Sequence, residues 1–138
     1  MREILFRGKQ RTMLDWVEGT GVFNDGTNTW LSANESNKPI ACGLNHKIVL
    51  PETIGQFTGL TDKNGKKIFE GDVVLYPWSD QDKPQRFTIK FKDGQFVASP
   101  VKETEEYWDF MVGGYSKEME IIGNIHDNPE LLGGVGDD

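Results

Sequence analysis

Residues 59–74 read GLTDKNGKKIFEGDVV, and this stretch contains two turn signals followed by the start of a strand. In the first turn Asn64 and Gly65 both tolerate positive φ, the backbone conformation that many tight turns require. We therefore expect residues 57–60 to fold back against residues 67–69 as a hairpin. The pattern specifies a shape and contains no catalytic motif.

A second corner follows at residues 70–72, which read Glu-Gly-Asp. It leads into residues 73–76, whose β-branched and aromatic side chains favour a strand that ends at Pro77. Glycine supplies the turn conformation, and Asn and Asp side chains accept hydrogen bonds from nearby backbone groups. The predicted turn residues of the whole stretch are Gly59, Asp62, Asn64, Gly65, Gly71 and Asp72.

Short predicted strands separated by Gly, Asn and Asp turns account for most of the remaining chain. They lie at residues 3–7, 14–17, 21–23, 29–31, 47–50, 86–91, 96–98 and 118–125. The first of them is expected to end at Gly8. Two short helical turns are expected at residues 51–54 and 129–132, and Asn128 can cap the second. Residues 104–111 fit either a short helix or an irregular strand.

These elements predict a mostly β, antiparallel protein, a small SH3-like barrel with an N-terminal β extension and one or two short helical turns. Residues 1–55 are the expected extension, residues 56–132 the barrel and residues 133–138 a flexible tail. The polar residues 32–39 are the best candidate for a loop or linker. A chain of 138 residues can form a core without disulfides or a metal.

The composition indicates in which cellular compartment the protein works and which kinds of partner it can bind. The single cysteine, Cys42, cannot form an intramolecular disulfide, and the chain has no long apolar run, so we expect a cytoplasmic protein that does not enter a membrane. The net charge is −7, and a field of this sign repels the phosphate backbone of nucleic acids.

Three blocks of the sequence resemble the pattern of the YopX family of phage and prophage proteins. The first block is Arg-Glu-Ile-Leu-Phe-Arg at residues 2–7, and the last is IIGNIHDNPELL at residues 121–132. The middle block is matched by Phe57, Thr58, Gly59, Leu60, Asp62, Asn64, Gly65, Ile68, Glu70, Gly71 and Asp72. The family pattern gives no guidance for residues 8–56 and 77–116.

The resemblance implies a mostly β protein that is encoded by a phage or prophage and that associates with itself. It brings no catalytic residues, because none is assigned to the family. The matched positions also have structural explanations, since glycines form turns, apolar residues form the core, and Asp and Asn bind their own backbone.

Enzymatic and metal-dependent functions find weak support in the sequence. Glu70 and Asp72 flank a glycine and could serve as acid and base, but turn residues before a strand are better explained by backbone hydrogen bonds. Cys42, His46 and His126 supply three zinc ligands only if the fold brings them together. We therefore expect no catalytic residue, no cofactor and no bound metal.

Two kinds of interaction surface have better support. Two basic groups suit single-stranded nucleic acid, the lysines on the hairpin at residues 63–67 and the predicted strand face of Arg86, Lys90 and Lys92. Trp78 and Tyr76 lie nearby for base stacking. Aromatic residues also dominate protein interfaces, and the chain has more of them than a core of this size can bury fully. These aromatic residues are Trp16, Trp30, Trp78, Tyr107 and Trp108, and the candidate surface is Trp78, Lys90 and Trp108.

The sequence therefore predicts a non-enzymatic phage accessory protein that forms a homo-oligomer and acts through contacts with an unidentified protein partner. A single-stranded nucleic-acid-binding module and an enzyme with acidic catalytic residues are the two alternatives. A response to an oligonucleotide at low salt favours the first alternative. A deep cleft that holds carboxylates with raised pKa values favours the second.

Overall fold

The computed structural model describes residues 3–33, 46–79 and 83–133. Antiparallel strands and short 3₁₀ turns make up its regular structure, as the sequence predicts. The chain divides into two compact units, an N-terminal unit of Met1–Phe57 and a C-terminal unit of Thr58–Asp138. Within the described residues, no helical turn has the length and apolar character needed to cross a bilayer.

The N-terminal unit is built on an antiparallel sheet. Its elements are β1 (Phe6–Lys9), β2 (Trp16–Asn24), β3 (Thr29–Ala33), β4 (His46–Val49), a 3₁₀ turn at Pro51–Thr53 and the beginning of β5 (Gly55–Thr61). The strands lie in the order β4-β3-β2-β1-β5. The most buried apolar residues of this unit are Leu5, Leu31, Val49 and Phe57. The short helical turn predicted at residues 51–54 is confirmed and is a 3₁₀ turn.

Two details of the N-terminal prediction are wrong. The first strand does not end at Gly8 but passes through it, because the missing side chain makes room for Val49, which lies 3.3 Å from where a Cβ would stand. The two strands expected at residues 14–17 and 21–23 form the single strand β2, with a register shift between Gly19 and Gly21. Residues 34–39 of the predicted linker lie outside the described residues, whereas Ser32 and Ala33 belong to β3.

The C-terminal unit contains a hairpin and a five-stranded antiparallel sheet. Its elements are β6 (Lys67–Phe69), β7 (Asp72–Tyr76), β8 (Gln85–Lys92), β9 (Gln95–Pro100), β10 (Phe110–Met111), β11 (Glu120–Asn124) and 3₁₀ turns at Ser116–Glu118 and Pro129–Leu132. The five strands lie in the order β10-β9-β8-β7-β11, and β6 pairs with the end of β5. The hairpin predicted between residues 57–60 and 67–69 is confirmed at the β5–β6 turn. The strands predicted at residues 86–91 and 96–98 are also confirmed, and they pair as the β8–β9 hairpin.

Alternation along β8 explains where the core of this unit forms. Phe87 and Ile89 point to one face and are buried, whereas Phe91, at the end of the same face, extends past the core and is exposed. Each fully buried apolar side chain contributes roughly 1.5–3 kcal/mol to folding. The buried core residues are Ile68, Val74, Tyr76, Phe87, Ile89, Ala98, Val112 and Met119.

The predicted SH3-like barrel is not formed by the described strands. β10 has two residues and pairs with β9 alone, after which the chain turns through Ser116–Glu118 and enters β11, which pairs with β7. In the described part of the chain nothing joins β10 to β11, so the five-stranded sheet stays open at both edges. The mostly antiparallel β character is confirmed, and the closure is corrected.

Two local predictions near the C-terminus also change. Asn128 precedes the Pro129–Leu132 turn, but its side chain does not cap it, because Oδ1 instead accepts the backbone N–H of Asn124 at 3.2 Å. Residues 104–111 are neither a helix nor a full strand, since only Phe110–Met111 pair with β9. The assignment of residues 1–55, 56–132 and 133–138 to separate domains and a tail stays a prediction.

Candidate functional site

The first turn of the opening stretch is held by Asp62, which is only 1% exposed. Its Oδ1 accepts the backbone N–H groups of Asn64 and Lys66, each at 2.9 Å, and its Oδ2 accepts the N–H of Ile121 at 3.0 Å. Next to it, the N–H of Lys63 donates to the carbonyl of Met119 at 2.9 Å. These contacts join the β5–β6 turn to the start of β11. The Asp62 corner comprises Asp62, Lys63, Asn64, Gly65, Lys66, Met119 and Ile121.

The electrostatics of Asp62 follow from these contacts. Burial raises the pKa of its carboxyl, but the N–H donors of Ile121, Lys66 and Asn64 outweigh burial and hold the pKa below its ordinary value of 3.8. The carboxylate is therefore ionised at neutral pH, and backbone donors occupy both of its oxygens. A carboxylate bound in this way supports the fold and is poorly placed to exchange protons with a substrate.

Of the other predicted turn residues, Asn64, Gly65, Gly71 and Asp72 lie at the two corners, whereas Gly59 lies within β5 and not in a turn. Gly59, Gly65 and Gly71 have φ values of 88°, 81° and 90°, a region that side chains with a Cβ rarely adopt. Asn64 contributes its backbone N–H to Asp62. Asp72 is buried, and its Oδ2 accepts the N–H of Phe69 at 2.8 Å, so the second corner binds its own backbone.

The residues considered for acid–base and metal chemistry are not assembled into such a site. Asp72, one member of the acidic pair, is buried in the contact with Phe69. His46 Nδ1 lies 3.1 Å from Ser32 Oγ, and the imidazole packs edge-on against Phe23. Across residues 3–33, 46–79 and 83–133, no three His, Cys, Asp or Glu side chains come together as metal ligands would. Cys42 lies outside these ranges.

Aromatic rings of the C-terminal unit form one continuous cluster. Its members are Tyr76, Trp78, Phe87, Tyr107, Trp108, Phe110 and Tyr115. Trp78 stacks on the buried Phe87 with ring centroids 5.7 Å apart. The ring centroid of Phe110 lies 4.8 Å from that of Tyr76 and 5.3 Å from that of Tyr115, so Phe110 connects the two tyrosines. The cluster thus continues from the core to the surface.

The surface end of this cluster is a groove of about 250 Å³. Tyr76, Trp78, Trp108, Phe110 and Tyr115 line it, and we call it the aromatic groove. Trp108 is 62% exposed, and its ring meets Trp78 almost at a right angle, 4.9 Å away. Tyr115 is also exposed, whereas Tyr76 is buried. Exposed aromatic surface of this kind marks interaction sites in many proteins.

Acidic side chains lie on the other side of Trp108. A second, more open depression of about 600 Å³, which we call the acidic shelf, is lined by Pro100, Glu103, Thr104, Glu105, Tyr107, Trp108 and Asp109. Trp108 is therefore shared by the aromatic groove and the acidic shelf. Glu103 and Glu105 are exposed to solvent. A negative field thus borders one wall of the groove.

Burial and nearby charges shift the pKa values of two groups at the groove and the shelf, Tyr76 and Asp109. Burial raises the pKa of Tyr76, and the carboxylate of Glu118 raises it further, so negative charge also acts on the groove from this end. The hydrogen bond from Lys92 lowers the pKa of Asp109 despite some burial, and Ser99 and the charge of Lys90 lower it further. Asp109 is thus partly neutralised by its ion pair with Lys92, at 2.8 Å.

The predicted surface residues are only partly brought together. Trp78 and Trp108 are in contact, whereas Lys90 is exposed on β8 and does not line the groove. Two of the lysines considered for nucleic-acid binding are paired, Lys92 with Asp109 and Lys63 with Glu120 at 3.6 Å. Tyr107, expected among the exposed aromatic residues, is buried against Trp78.

The sequence prediction includes three of the five groove residues, Trp78 and Trp108 as surface candidates and Tyr76 as a base-stacking residue. It assigns Phe110 to a segment that fits either a helix or a strand, and it gives Tyr115 no role. Aromatic residues spaced across residues 76–115 were the only available signal, because their convergence depends on how β7, β8 and β10 align.

Comparisons with known proteins point to one family. The sequence model of the YopX protein family matches residues 5–133. A curated relative, the "SPbeta prophage-derived uncharacterized protein YopX" of Bacillus subtilis (strain 168), is 33% identical over 72 residues, which are 51% of this chain and 54% of that protein. The chain thus spans about half the length of the curated relative that it matches.

Two solved structures resemble this one. Protein EF1440 from Enterococcus faecalis is 26% identical, with a TM-score of 0.59 over 96% of this chain and 100% of that chain. Protein YopX from Bacillus subtilis is 20% identical, with a TM-score of 0.56 over 98% of this chain and 99% of that chain, and this likeness concerns the fold alone. Because the family model extends over residues 5–133, the chain belongs to the YopX protein family.

Proposed function

We propose that this chain is a prophage-derived accessory protein of the bacterial cytoplasm that acts without catalysis, by binding another protein through the aromatic groove. The prophage origin is supported by the curated relative, whose name assigns it to the SPbeta prophage. The observation that carries the proposed mode of action is Trp108, a large aromatic side chain that is 62% exposed at the surface end of a buried aromatic cluster.

The construction of the groove supports binding. Trp78 is fixed by stacking on Phe87 and by contacts with Tyr107 and Phe110, so the groove has a rigid floor. A rigid aromatic surface loses little conformational entropy when a partner covers it. Trp and Tyr side chains are also the residues that most often dominate the binding energy of protein interfaces.

A non-catalytic role agrees with how the acidic turn residues are used. The carboxylates of Asp62 and Asp72 are buried and accept backbone N–H groups of their own turns. A general acid or base needs access to its substrate and a pKa near the working pH. The lowered pKa of Asp62 works against such a role.

A capture experiment tests the proposal. The tagged chain, Trp108→Ala and Phe91→Ala are each incubated with lysate of prophage-induced cells, and the bound proteins are quantified by mass spectrometry. Phe91 is the matched control, because it is an exposed aromatic residue of the same unit that does not line the groove. We expect a protein that the wild type and Phe91→Ala retain and that Trp108→Ala loses. Equal retention by Trp108→Ala would contradict the proposal.

Self-association is a second candidate function, and exposed apolar residues of the N-terminal unit favour it. Met13 and Leu14 are 72% and 55% exposed, and Phe23 is an exposed ring stacked on Trp30. Apolar residues at a surface are stabilised when a second copy covers them. Analytical ultracentrifugation at high protein concentration tests this proposal, with Met13→Ser/Leu14→Ser as the variant expected to dissociate. A wild type that remains monomeric would overturn it.

A further inference from the structure

We infer that the aromatic groove binds the guanidinium group of an arginine that lies in a basic segment of a partner protein. This inference rests on the proposed function, because it names the chemistry of the partner at the same site. It is argued from the rings of the groove, from the charges around it and from a second indole of the same chain.

The size and the walls of the groove suit one side chain. Its volume of about 250 Å³ is smaller than the sites that hold drug-sized ligands. Trp78 and Trp108 stand nearly perpendicular, at 4.9 Å, and Trp108 keeps most of its surface accessible. The face of an indole is electron-rich, and a cation above it is attracted by the quadrupole of the ring.

Trp16 illustrates this contact within the N-terminal unit. The Cζ atom of Arg7 lies 4.7 Å from the centroid of the Trp16 ring, and Lys9 Nζ lies 5.7 Å from it. By contrast, each ring contact of Trp78 and Trp108 within the described residues is made to another aromatic ring. Trp108, which is 62% exposed, therefore leaves ring surface for a cation that the described part of the chain does not supply.

The surrounding charge selects a positive occupant. Glu103 and Glu105 line the acidic shelf behind Trp108, and neither makes an ion pair within the described residues. Glu118 acts on the Tyr76 end of the groove. Together with the net charge of −7, these carboxylates attract a basic segment and repel a polyanion such as a nucleic acid.

Arginine fits this site better than lysine. Its planar guanidinium stacks on aromatic faces, and it is less strongly hydrated than an ammonium group, so it loses less hydration on entering an aromatic groove. A second basic residue of the same segment can then reach Glu103 or Glu105 on the shelf, which makes the affinity dependent on salt.

NMR titration of the full chain tests the inference. The side-chain indole N–H resonances of Trp16, Trp30, Trp78 and Trp108 are followed while an acetylated Gly-Arg-Gly-Arg-Gly-Arg-Gly peptide is added. Matched peptides with Lys or Glu in place of Arg, and an oligothymidine, are the comparison probes. We expect the Trp78 and Trp108 resonances to move with the Arg peptide, while Trp16 and Trp30 serve as internal references. The Lys peptide should bind about threefold more weakly, and the Glu peptide and the oligothymidine should not bind.

Variants assign the contact to the groove. We expect Trp108→Ala to weaken the binding of the Arg peptide by about five- to thirtyfold. Glu105→Gln should weaken this binding by about twofold and make the affinity less dependent on salt. Phe91→Ala should bind as the wild type does. The inference would be overturned if Trp108→Ala bound the Arg peptide as tightly as the wild type does, or if the Lys peptide bound as tightly as the Arg peptide. Shifts of the groove indole resonances with the oligothymidine or the Glu peptide would also overturn it.

The result can be separated from the test of the proposed function. If a protein partner is lost with Trp108→Ala but the Arg peptide moves neither groove indole, the protein-binding function stands and the arginine assignment fails. If Trp108→Ala retains every captured protein, the proposed function itself fails.

Discussion

The Asp62 corner and the aromatic groove, both in the C-terminal unit, are built in opposite ways. In the corner, a buried carboxylate accepts N–H groups from Asn64, Lys66 and Ile121, so its polar groups are satisfied within the chain. In the groove, Trp108 and Tyr115 expose aromatic surface that the chain itself does not cover. The first arrangement stabilises a fold, and the second is suited to a partner.

This difference also separates two parts of the sequence. The corner contains Asp62, Asn64 and Gly65 of the middle block that resembles the YopX pattern. By contrast, four of the five groove residues lie within residues 77–116, for which that pattern gives no guidance. The recognisable stretch is therefore explained by folding, and the contact surface lies elsewhere. Substitutions in the corner should lower stability, and substitutions at the exposed wall of the groove should lower binding.

The largest expected effect is at Asp62. Asp62→Ala should destabilise the chain by about 3–4 kcal/mol, because it leaves three partly buried backbone donors without their charged acceptor. Urea unfolding followed by fluorescence measures this loss. Glu120→Gln, which breaks only the exposed pair with Lys63, is the control and should cost less than about 1 kcal/mol. A similar loss of unfolding free energy for Asp62→Ala and Glu120→Gln would contradict the expected difference between the buried corner and the exposed ion pair.

The two tryptophans of the groove should differ from each other. Trp78→Ala should cost about 2–3 kcal/mol, because it removes a ring that packs on the core residue Phe87. Trp108→Ala should cost less than about 1 kcal/mol, because that ring is mostly exposed. Unfolding free energies of the two variants check this difference. If Trp108→Ala proved the more destabilising variant, the exposed wall would be a structural element.

A comparison of Gly65→Ala with Gly113→Ala measures how much the positive φ of Gly65 matters for the stability of the corner. An added Cβ has open space at both positions, but Gly65 has φ +81° and Gly113 does not have a positive φ. Gly65→Ala should therefore cost about 1–2 kcal/mol, and Gly113→Ala should stay within about 0.5 kcal/mol of the wild type. We expect a comparable loss for Gly71→Ala, at φ +90°. Unchanged unfolding of Gly65→Ala would show that the turn does not need its glycine.

The smallest expected effect is on the pH dependence of stability. The pKa of Asp62 lies below its ordinary value in the folded chain, so the folded state binds fewer protons than the unfolded state near pH 4. Its contribution is present above the ordinary pKa of 3.8 and is lost as the pH falls through the lower, folded value. Asp62→Asn should therefore lose less stability than the wild type between pH 6 and pH 3. The urea unfolding midpoints of the wild type and Asp62→Asn at pH 6 and pH 3 measure these losses of stability. Equal losses would contradict the assignment of this pH dependence to Asp62.

Local features were predictable from the sequence, and distant contacts were not. The alternation around Ile89 and the turn at Gly65 depend on neighbouring residues, so both could be read directly. The hydrogen bond from Ile121 to Asp62 joins residues 59 positions apart. The contact of Trp78 with Trp108 likewise depends on strand alignment. Barrel closure failed as a prediction for the same reason, because closure requires β10 to pair with β11. In the described residues β10 pairs with β9 alone, and β11 pairs with β7.

The most direct test of the account compares Trp108→Ala with Gly65→Ala in one experiment that measures both the unfolding midpoint and the retention of the captured protein. We predict that Trp108→Ala nearly keeps the wild-type midpoint and loses the partner. Gly65→Ala should lose stability and, under conditions where it is folded, keep the partner. If Trp108→Ala kept the partner, or if both variants lost stability and binding together, the separation of a folding corner from a binding groove would be contradicted.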